Sequence, residues 1–235
     1  MKGTFPIRQF EKVDTPFYYY DTNLLKATLK AIQEEEAKHP GFAEHYAVKA
    51  NANPRILKII CEAGLGADCV SGGEIKRCIE TGFSPSKIVF AGVGKSDREI
   101  NYALDHNIFC FNVESVPELE VINALAAQKG KTAKVAFRIN PDIDAHTHAN
   151  ITTGLAENKF GIAMRDMEPA IIEASKLKNV HFVGLHFHIG SQILDMSNFK
   201  ALCERINDQK RQLEGHHIQV QNINVGGGLG EDYCQ

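Results

Sequence analysis

The amino-acid sequence predicts an α/β protein whose parallel strands form a (β/α) barrel. Short runs of β-branched and aromatic residues alternate with longer segments of helical spacing, which is the pattern of repeated strand–helix units. Several helical segments begin with a capping pattern directly after a predicted strand. The early strands also end at a nearly constant spacing, which favours a closed barrel over an open sheet.

The predicted strands are recognised by their apolar residue types. They are Phe17–Tyr20, His45–Ala50, Ala67–Ser71, Ile88–Gly92, Phe109–Val113, Val135–Asn140, Phe182–Gly190 and Val220–Gly226. Seven of these runs follow Phe17–Tyr20 before the sequence stops at Gln235. Either Phe17–Tyr20 closes the barrel or the chain is a fragment, and we favour the fragment.

Helix boundaries are signalled by residues that cap the backbone. Asn53 and Pro54 have the residue types of an N-cap and a first-turn proline, and Gly64 and Gly82 are expected to end helices. Three serines are followed three residues later by a glutamate, which predicts a capping box in each case. These pairs are Ser71 with Glu74, Ser96 with Glu99, and Ser115 with Glu118.

Composition and charge narrow the class of protein. Hydrophobic residues make up 43% and charged residues 23%, and the net charge of −3 gives no electrostatic case for a nucleic-acid or membrane partner. No apolar run approaches the roughly 20 residues of a membrane span, and the start lacks the apolar core of a signal peptide. The six cysteines show no C-x-x-C spacing, so we expect reduced thiols in a cytoplasmic protein.

Lys49 stands at the C-terminal end of the predicted strand His45–Ala50, at the mouth of the barrel. There we expect the ammonium to be partly desolvated, which would free the amine as a nucleophile towards an aldehyde. Position alone would favour a plainer alternative, a strand-end lysine whose ammonium reaches water.

Three consecutive glycines, Gly226, Gly227 and Gly228, follow the last predicted strand. Their backbone N–H groups can surround a phosphate, and barrels often bind phosphate after their last strands. The spacing fits neither a dinucleotide fingerprint nor a P-loop, and a flexible strand exit is the alternative to phosphate binding.

His186 and His188 are two residues apart on one predicted strand, so they share one of its faces. If that face is the barrel interior, His188 lies near the mouth and His186 one layer deeper. The pair could bind a metal ion with a third ligand, for which His146 and His148 are candidates, or His188 could stack on an aromatic cofactor. For His186 we expect a buried, hydrogen-bonded side chain.

Asp68, Glu74 and Arg138 are charged residues at predicted strand ends or helix starts. Aspartate is disfavoured within a strand, so Asp68 needs a buried partner, and Lys49 on the neighbouring strand is a candidate. Glu74 also fits a helix cap. Arg138 could hold a carboxylate or orient Asp68, or it could form an interior salt bridge of purely structural value.

Read together, these segments resemble the pyridoxal-phosphate-dependent decarboxylases of the alanine-racemase-like fold, a TIM-type (β/α) barrel. The matching blocks follow the order of that family and are Tyr46–Asn51, Asp68–Glu74, Arg138–Pro141, His188–Ser191 and Gly226–Gly228. Within the family, the longer blocks Arg138–Ala145 and Thr153–Gly161, with His188–Gln192, are similar to the diaminopimelate decarboxylase branch.

The resemblance implies pyridoxal 5'-phosphate as the cofactor and assigns roles to residues around it, with no metal. Lys49 would bond the aldehyde of the cofactor, and His188 would stack on its ring, which makes both catalytic. Ser191 and the backbone of Gly226–Gly228 would hold the phosphate. A charged shelf would surround the Lys49 nitrogen, formed by Asp68, Glu74 and Arg138.

The resemblance also implies features that this sequence lacks, namely a Glu-Pro-Gly-Arg strand and a β domain that supplies a catalytic cysteine across a dimer interface. Cys234 does not have the context of that cysteine. We therefore expect truncation before the last barrel strand and the C-terminal β domain. Residues 1–22 would join that domain or cap the barrel, and residues 23–235 would form the incomplete barrel. The full-length protein would be a homodimer with shared active sites, and this chain alone nearly inactive.

The implied reaction is the decarboxylation of meso-diaminopimelate to L-lysine, the last step of lysine biosynthesis. The insertion Asp142–Asn158 is a candidate for contacting the distal end of this amino-acid substrate. Three alternatives stay open. They are another decarboxylase of the fold acting on arginine, ornithine or carboxynorspermidine, a non-catalytic single-barrel carrier of the cofactor, and a metal-dependent barrel hydrolase that uses His186 and His188.

Overall fold

One parallel sheet forms the wall of an open half-barrel in the computed structural model, which describes residues 5–141 and 160–232. Its strands are β1 His45–Ala47, β2 Gly66–Cys69, β3 Ile88–Phe90, β4 Cys110–Val113, β5 Ala133–Asn140, β6 Ile162–Ala163, β7 Val180–His186 and β8 Asn222–Asn224. Hydrogen-bonded neighbours follow the order β1-β2-β3-β4-β5-β7-β8, and β6 pairs with β5 alone. The order ends at β1 and β8, so the described strands form part of a barrel wall, as predicted.

The apolar runs after residue 40 predict the strands well. Each of them overlaps an observed strand, although β2, β5 and β7 begin one or two residues before the predicted run, and the short β6 was missed. The run Phe17–Tyr20 is not a strand, so this prediction is wrong. Its side chains are exposed, Tyr18 to 89%, and its rings contact other aromatic rings near the N-terminus, such as that of Phe10. An aromatic run satisfies β-propensity locally but needs a neighbouring strand, and here it has none among the described residues.

Helices cover the outer face of the sheet and connect its strands. They are α1 Ile7–Phe10, α2 Thr22–Glu36, α3 Pro54–Glu62, α4 Gly72–Thr81, α5 Asp97–His106, α6 Val116–Gln128, α7 Met164–Lys176 and α8 Ser197–Gly215. The predicted caps of α3 and α4 are confirmed, since the Asn53 side chain accepts the Arg55 N–H and Gly82 ends α4 at φ 103°. In the part of the chain that the structure describes, no helix combines the length and apolar character needed to cross a membrane.

The three predicted capping boxes have two different outcomes. The box at the start of α5 makes both of its hydrogen bonds. At the starts of α4 and α6 the serine caps the helix as predicted, but the glutamate reaches one residue further back. Glu74 Oε2 accepts the Val70 N–H at 2.7 Å, and Glu118 Oε2 accepts the Glu114 N–H at 2.8 Å. Both glutamates therefore fasten the end of a strand to the helix that follows it.

The core has two layers on opposite faces of the sheet. The larger cluster joins strand side chains such as Phe90 and Phe137 to the helices, so it fills the space between helices and sheet. The smaller cluster contains only strand residues, Val89, Cys110, Ala136 and Val183, and so lies on the concave face. Because side chains alternate along a strand, the residues that follow these on the concave face point towards the barrel mouth.

Candidate functional site

Lys49 lies in a 3-10 turn, Val48–Ala50, directly after β1. It is exposed, so the predicted desolvation is not found in this chain. The physical reason is that β1 is an end strand of the sheet and has a neighbour on one side, β2. The Lys49 charge nevertheless opposes the burial-driven rise in the Asp68 pKa and adds to the fall in the His188 pKa, so Lys49 lies within electrostatic reach of both side chains.

Asp68 lies on β2, opposite Ala47 on β1 and Val89 on β3. Its Oδ1 atom is buried and has no hydrogen-bond partner among the described residues. Burial raises the pKa of the Asp68 carboxyl to about 6, the nearby positive charges oppose this shift, and Glu74 adds to it. The predicted partner Lys49 acts on Asp68 through its charge, while no ion pair between the two is present in the described part of the chain.

Arg138 is turned towards Glu114 and not towards Asp68. Its Nη1 atom donates to Glu114 Oε1 at 2.8 Å, and its guanidinium carbon lies 5.1 Å from the centre of the Phe160 ring. Arg138 thus holds a carboxylate, that of Glu114, in an interior salt bridge, and no hydrogen bond from Arg138 to Asp68 is found among the described residues. Its role beside Asp68 stays a prediction. The register explains the salt bridge, because Val113 pairs with Phe137, so the next residues on β4 and β5 are neighbours.

Lys95 is a buried cation that the sequence analysis missed. Its side chain is 1% exposed, and Nζ donates to Gly92 O at 2.7 Å, Asn112 O at 2.8 Å and Glu118 Oε1 at 2.6 Å. All three ammonium protons are thus used. Its signal was available, because Lys95 follows a strand end just as Lys49 does, but the Ser96 capping pattern explained the segment without it.

His186 and His188 lie at different depths, as predicted. His186 ends β7 and is buried, and burial, then the charge of Arg138, lowers its pKa well below the ordinary value. Its Nδ1 atom lacks a partner among the described residues, so the expected hydrogen bond at that atom is not found. His188, half-buried beyond the strand end, has a pKa lowered to about 4 by burial, then by Arg138 and Lys49. It is therefore neutral near pH 7.

No group of three or more His, Cys, Asp or Glu side chains that could share a metal ion is present in residues 5–141 and 160–232. His146 and His148, named as possible third ligands, lie outside the described residues, as does the Asp142–Asn158 insertion.

The triple glycine follows β8 in a conformation that requires glycine at two of its positions. Gly226 and Gly228 have φ of 75° and 107°. A Cβ at Gly226 would lie 2.3 Å from Phe187 O, and one at Gly228 would lie 2.1 Å from Gly190 O. Gly227 differs, since no heavy atom lies within 4 Å of its Cβ position. The backbone therefore packs closely on one side and leaves open space on the other.

Hydrogen bonds hold this glycine loop beside the loop that carries Ser191. The Ile193 N–H donates to Gly228 O at 2.8 Å, and the Gly230 N–H donates to Ile193 O at 2.9 Å. The Gln192 side chain donates to the carbonyl of Glu231 at 2.7 Å. Exposed Ser191 and the glycines are thus brought together at the C-terminal ends of β7 and β8, and their assignment to a phosphate stays a prediction.

The candidate side chains and the glycine loop lie at the C-terminal ends of parallel strands, which is the arrangement of (β/α) barrel enzymes. The particular family follows from comparison with known proteins. The chain belongs to the pyridoxal-dependent decarboxylases, since residues 25–235 match the family model described as pyridoxal-dependent decarboxylase, pyridoxal binding domain. Membership of this family implies pyridoxal phosphate as the cofactor.

Curated relatives are similar over nearly the whole chain. A diaminopimelate decarboxylase of Bacteroides thetaiotaomicron is 66% identical over 99% of this chain and 60% of the relative. One of Aquifex aeolicus is 42% identical over 93% of this chain and 51% of the relative. The chain therefore spans little more than half the length of these relatives.

Solved structures give the same result for the fold. A mutant of Helicobacter pylori diaminopimelate decarboxylase complexed with L-lysine superposes with a TM-score of 0.90 at 40% identity, covering 97% of this chain and 58% of that one. The arginine decarboxylase of Paramecium bursaria Chlorella virus superposes with a TM-score of 0.74 at 25% identity, covering 88% and 53%. The half-barrel is thus the shape shared by decarboxylases of different substrates.

Proposed function

We propose that the whole protein decarboxylates meso-diaminopimelate to L-lysine with pyridoxal phosphate as its cofactor. The observation that carries this proposal is the 66% identity, over 99% of the chain, to the diaminopimelate decarboxylase of Bacteroides thetaiotaomicron. The lower identity to the viral arginine decarboxylase favours diaminopimelate over arginine as the substrate.

The chemistry of the barrel mouth fits the cofactor. Lys49 offers an exposed amine, and the open side of Gly227 leaves room for phosphate oxygens beside backbone N–H groups. The Gly226 N–H already donates to Asn224 Oδ1 at 2.8 Å. We therefore assign phosphate binding to Gly227, Gly228 and Ser191, while Gly226 only forms the turn. The buried Oδ1 of Asp68 can accept a further hydrogen bond.

When bound, pyridoxal phosphate supplies an aldehyde that bonds an amine and a ring that accepts the electron pair left when carbon dioxide departs. We assign the covalent attachment to Lys49. Asp68, with a pKa of about 6, can hold or release a proton close to neutral pH, beside an amine that must lose one. Glu74 adds negative charge beside Asp68.

His188 is assigned to stacking on the ring of the cofactor. Its pKa of about 4 leaves it an uncharged flat ring at neutral pH, and so it can pack on an aromatic face without adding a positive charge. Arg138 supplies a positive charge in the same mouth, and it also helps keep His188 neutral.

The test is the colour of the protein. The whole protein, purified with pyridoxal phosphate, is expected to be yellow, and borohydride is expected to fix the cofactor on Lys49. Lys49→Ala should lose the absorbance, while Lys58→Ala, which removes an exposed lysine of α3, should keep it. A wild-type protein that stays colourless after incubation with pyridoxal phosphate would contradict the proposal.

Substrate identity is tested separately with a panel. We expect release of carbon dioxide from meso-diaminopimelate and much slower release from arginine, ornithine and carboxynorspermidine. Comparable turnover of one of the other three would replace diaminopimelate as the substrate. A yellow protein that releases carbon dioxide from none of the four would instead be a carrier of the cofactor.

The proposal extends to the assembly and the location of the whole protein. We infer a homodimer with shared active sites, supported by the family resemblance and by the exposure of Lys49 and Ser191, which leaves their surroundings free for further protein surface. A cytoplasmic location is supported by the five free cysteines among the described residues. Residues 1–22 remain assigned to a junction with a further domain. Light scattering tests the homodimer, cell fractionation tests the location, and deletion of residues 1–22 tests the junction.

A further inference from the structure

Arg138 contacts two side chains, those of Glu114 and Phe160, that no sequence pattern singled out. Its side chain is 11% exposed and that of Glu114 is 5% exposed, so their ion pair at 2.8 Å is buried. The Phe160 ring lies on another side, with its centre 5.1 Å from the guanidinium carbon. A buried arginine with a carboxylate and an aromatic ring as neighbours has little freedom to turn.

Gly161 contributes a backbone hydrogen bond to the same group of residues. Its N–H donates to Glu114 Oε2 at 3.0 Å, so the two carboxylate oxygens of Glu114 hold two different groups. Gly161 has φ of 81°, and a Cβ there would lie 2.9 Å from Arg138 O and 3.3 Å from Arg138 Cγ. Glycine is therefore required at this position for the chain to pass so close to Arg138.

Glu114 is itself held in place by its own backbone. Its N–H donates to Glu118 Oε2 at 2.8 Å, and the other oxygen of Glu118 accepts from Lys95 at 2.6 Å. Two carboxylates and two cations thus form one buried group with balanced charge. Because Glu114 is fastened through both its side chain and its backbone, it can fix the position of a flexible arginine.

We propose that Glu114 is a positioning residue that fixes Arg138 in the mouth of the barrel, and that Phe160 and Gly161 complete the clamp. This inference rests on the proposed function, in which Arg138 belongs to the surroundings of the cofactor. Without the charge of Glu114, the Arg138 guanidinium is drawn to Asp68, the other buried carboxylate on which it acts. The loss of Glu114 would therefore disturb the groups next to Lys49 without removing any of them.

A double-mutant cycle on the whole protein tests whether Glu114 acts through Arg138. The measured quantity is the dissociation constant of pyridoxal phosphate, followed by absorbance, together with kcat and KM for meso-diaminopimelate. Glu114→Gln is expected to weaken cofactor binding about tenfold, the range of a hydrogen bond to a charged group. Arg138→Met should weaken it at least as much, and the double variant should be no worse than Arg138→Met alone.

The matched control is Glu99→Gln, which neutralises a carboxylate that accepts from Ser96 and from the Gly72 N–H and bonds neither Arg138 nor Glu114. It is expected to lower the melting temperature but to leave the cofactor dissociation constant within about twofold. If Glu114→Gln does not fold, Phe160→Leu removes the ring of the clamp without changing any charge, and it should also weaken cofactor binding.

Three results would overturn the clamp. They are an unchanged cofactor affinity in Glu114→Gln, losses that simply add in the double variant, and an equal loss of affinity in Glu99→Gln. Each of these can be seen only if the wild type binds the cofactor. A wild type that does not bind it defeats the proposed function instead, so the two failures are distinguishable.

Discussion

Lys95 Nζ lies 2.6 Å from Glu118 Oε1 in a pair whose lysine side chain is 1% exposed. This buried pair joins the loop after β3 to helix α6, next to the functional end of the barrel. Burial raises the pKa of the Glu118 carboxyl, and the Lys95 charge opposes that shift, so Glu118 depends on Lys95 for its charged form.

Removal of Lys95 is expected to destabilise the fold strongly. Lys95→Met leaves the buried Glu118 carboxylate without its partner, which costs about 3–5 kcal/mol in the free energy of unfolding. The double variant Lys95→Met/Glu118→Gln should recover part of that loss, because no buried charge remains unpaired. Chemical denaturation measures both.

An exposed ion pair provides the control for this prediction. Lys76 and Glu80 on α4 are 3.8 Å apart with side chains 63% and 54% exposed. Lys76→Met should change the free energy of unfolding by less than about 1 kcal/mol. Equal losses in Lys76→Met and Lys95→Met would show that burial does not decide the strength of these pairs.

The triple glycine offers two substitutions that separate folding from binding. Gly226→Ala introduces a methyl group 2.3 Å from Phe187 O at a φ of 75°, so we expect a loss of about 1–3 kcal/mol in stability. Gly227→Ala meets no atom within 4 Å and should leave stability within about 0.5 kcal/mol. If phosphate lies against this backbone, Gly227→Ala nevertheless weakens cofactor binding.

Thermal melting and cofactor titration on the same two variants decide this question. A Gly227→Ala protein with normal melting and normal cofactor affinity would remove the phosphate from the open side of the glycine loop. A Gly226→Ala protein as stable as the wild type would contradict the close packing on Phe187.

Much of the position of the groups at the barrel mouth could be predicted from the sequence, because the residue types mark where the strands end. The runs that overlap β1, β7 and β8 end within two residues of Lys49, of His188 and of the first glycine, and parallel strands place their C-terminal ends on one side. The location of these groups therefore followed from local patterns alone. The strand Phe17–Tyr20 failed for the opposite reason, since its local pattern has no neighbouring strand to pair with among the described residues.

Pairings across strands could not be predicted in the same way. Arg138 contacts Glu114 because β4 and β5 pair with Val113 opposite Phe137. The residues of one strand alone do not determine such a register. Lys95 was overlooked because a helix cap already explained its segment. The exposure of Lys49 depends on the position of β1 at the end of the sheet, which is a property of the assembled wall.

Asp68 and His188 are expected to give the cofactor-free protein opposite dependences of stability on pH. The Asp68 pKa is about 6 in the folded state against an ordinary 3.8, so between these values the folded state binds more protons and stability rises as pH falls. The His188 pKa is about 4 against an ordinary 6.5, so between these values the unfolded state binds more protons and stability falls as pH falls. Between about pH 4 and 6 the two contributions largely cancel.

Two substitutions uncover the separate contributions. Asp68→Asn leaves His188 unopposed, so relative to wild type the free energy of unfolding should fall as pH is lowered from 6 to 4. His188→Gln leaves Asp68 unopposed, so the same difference should rise over that range. Each slope is at most about 1.4 kcal/mol per pH unit, the value for one proton. Denaturant titrations at several pH values measure both, and slopes of the same sign in the two variants would contradict the opposed pKa shifts.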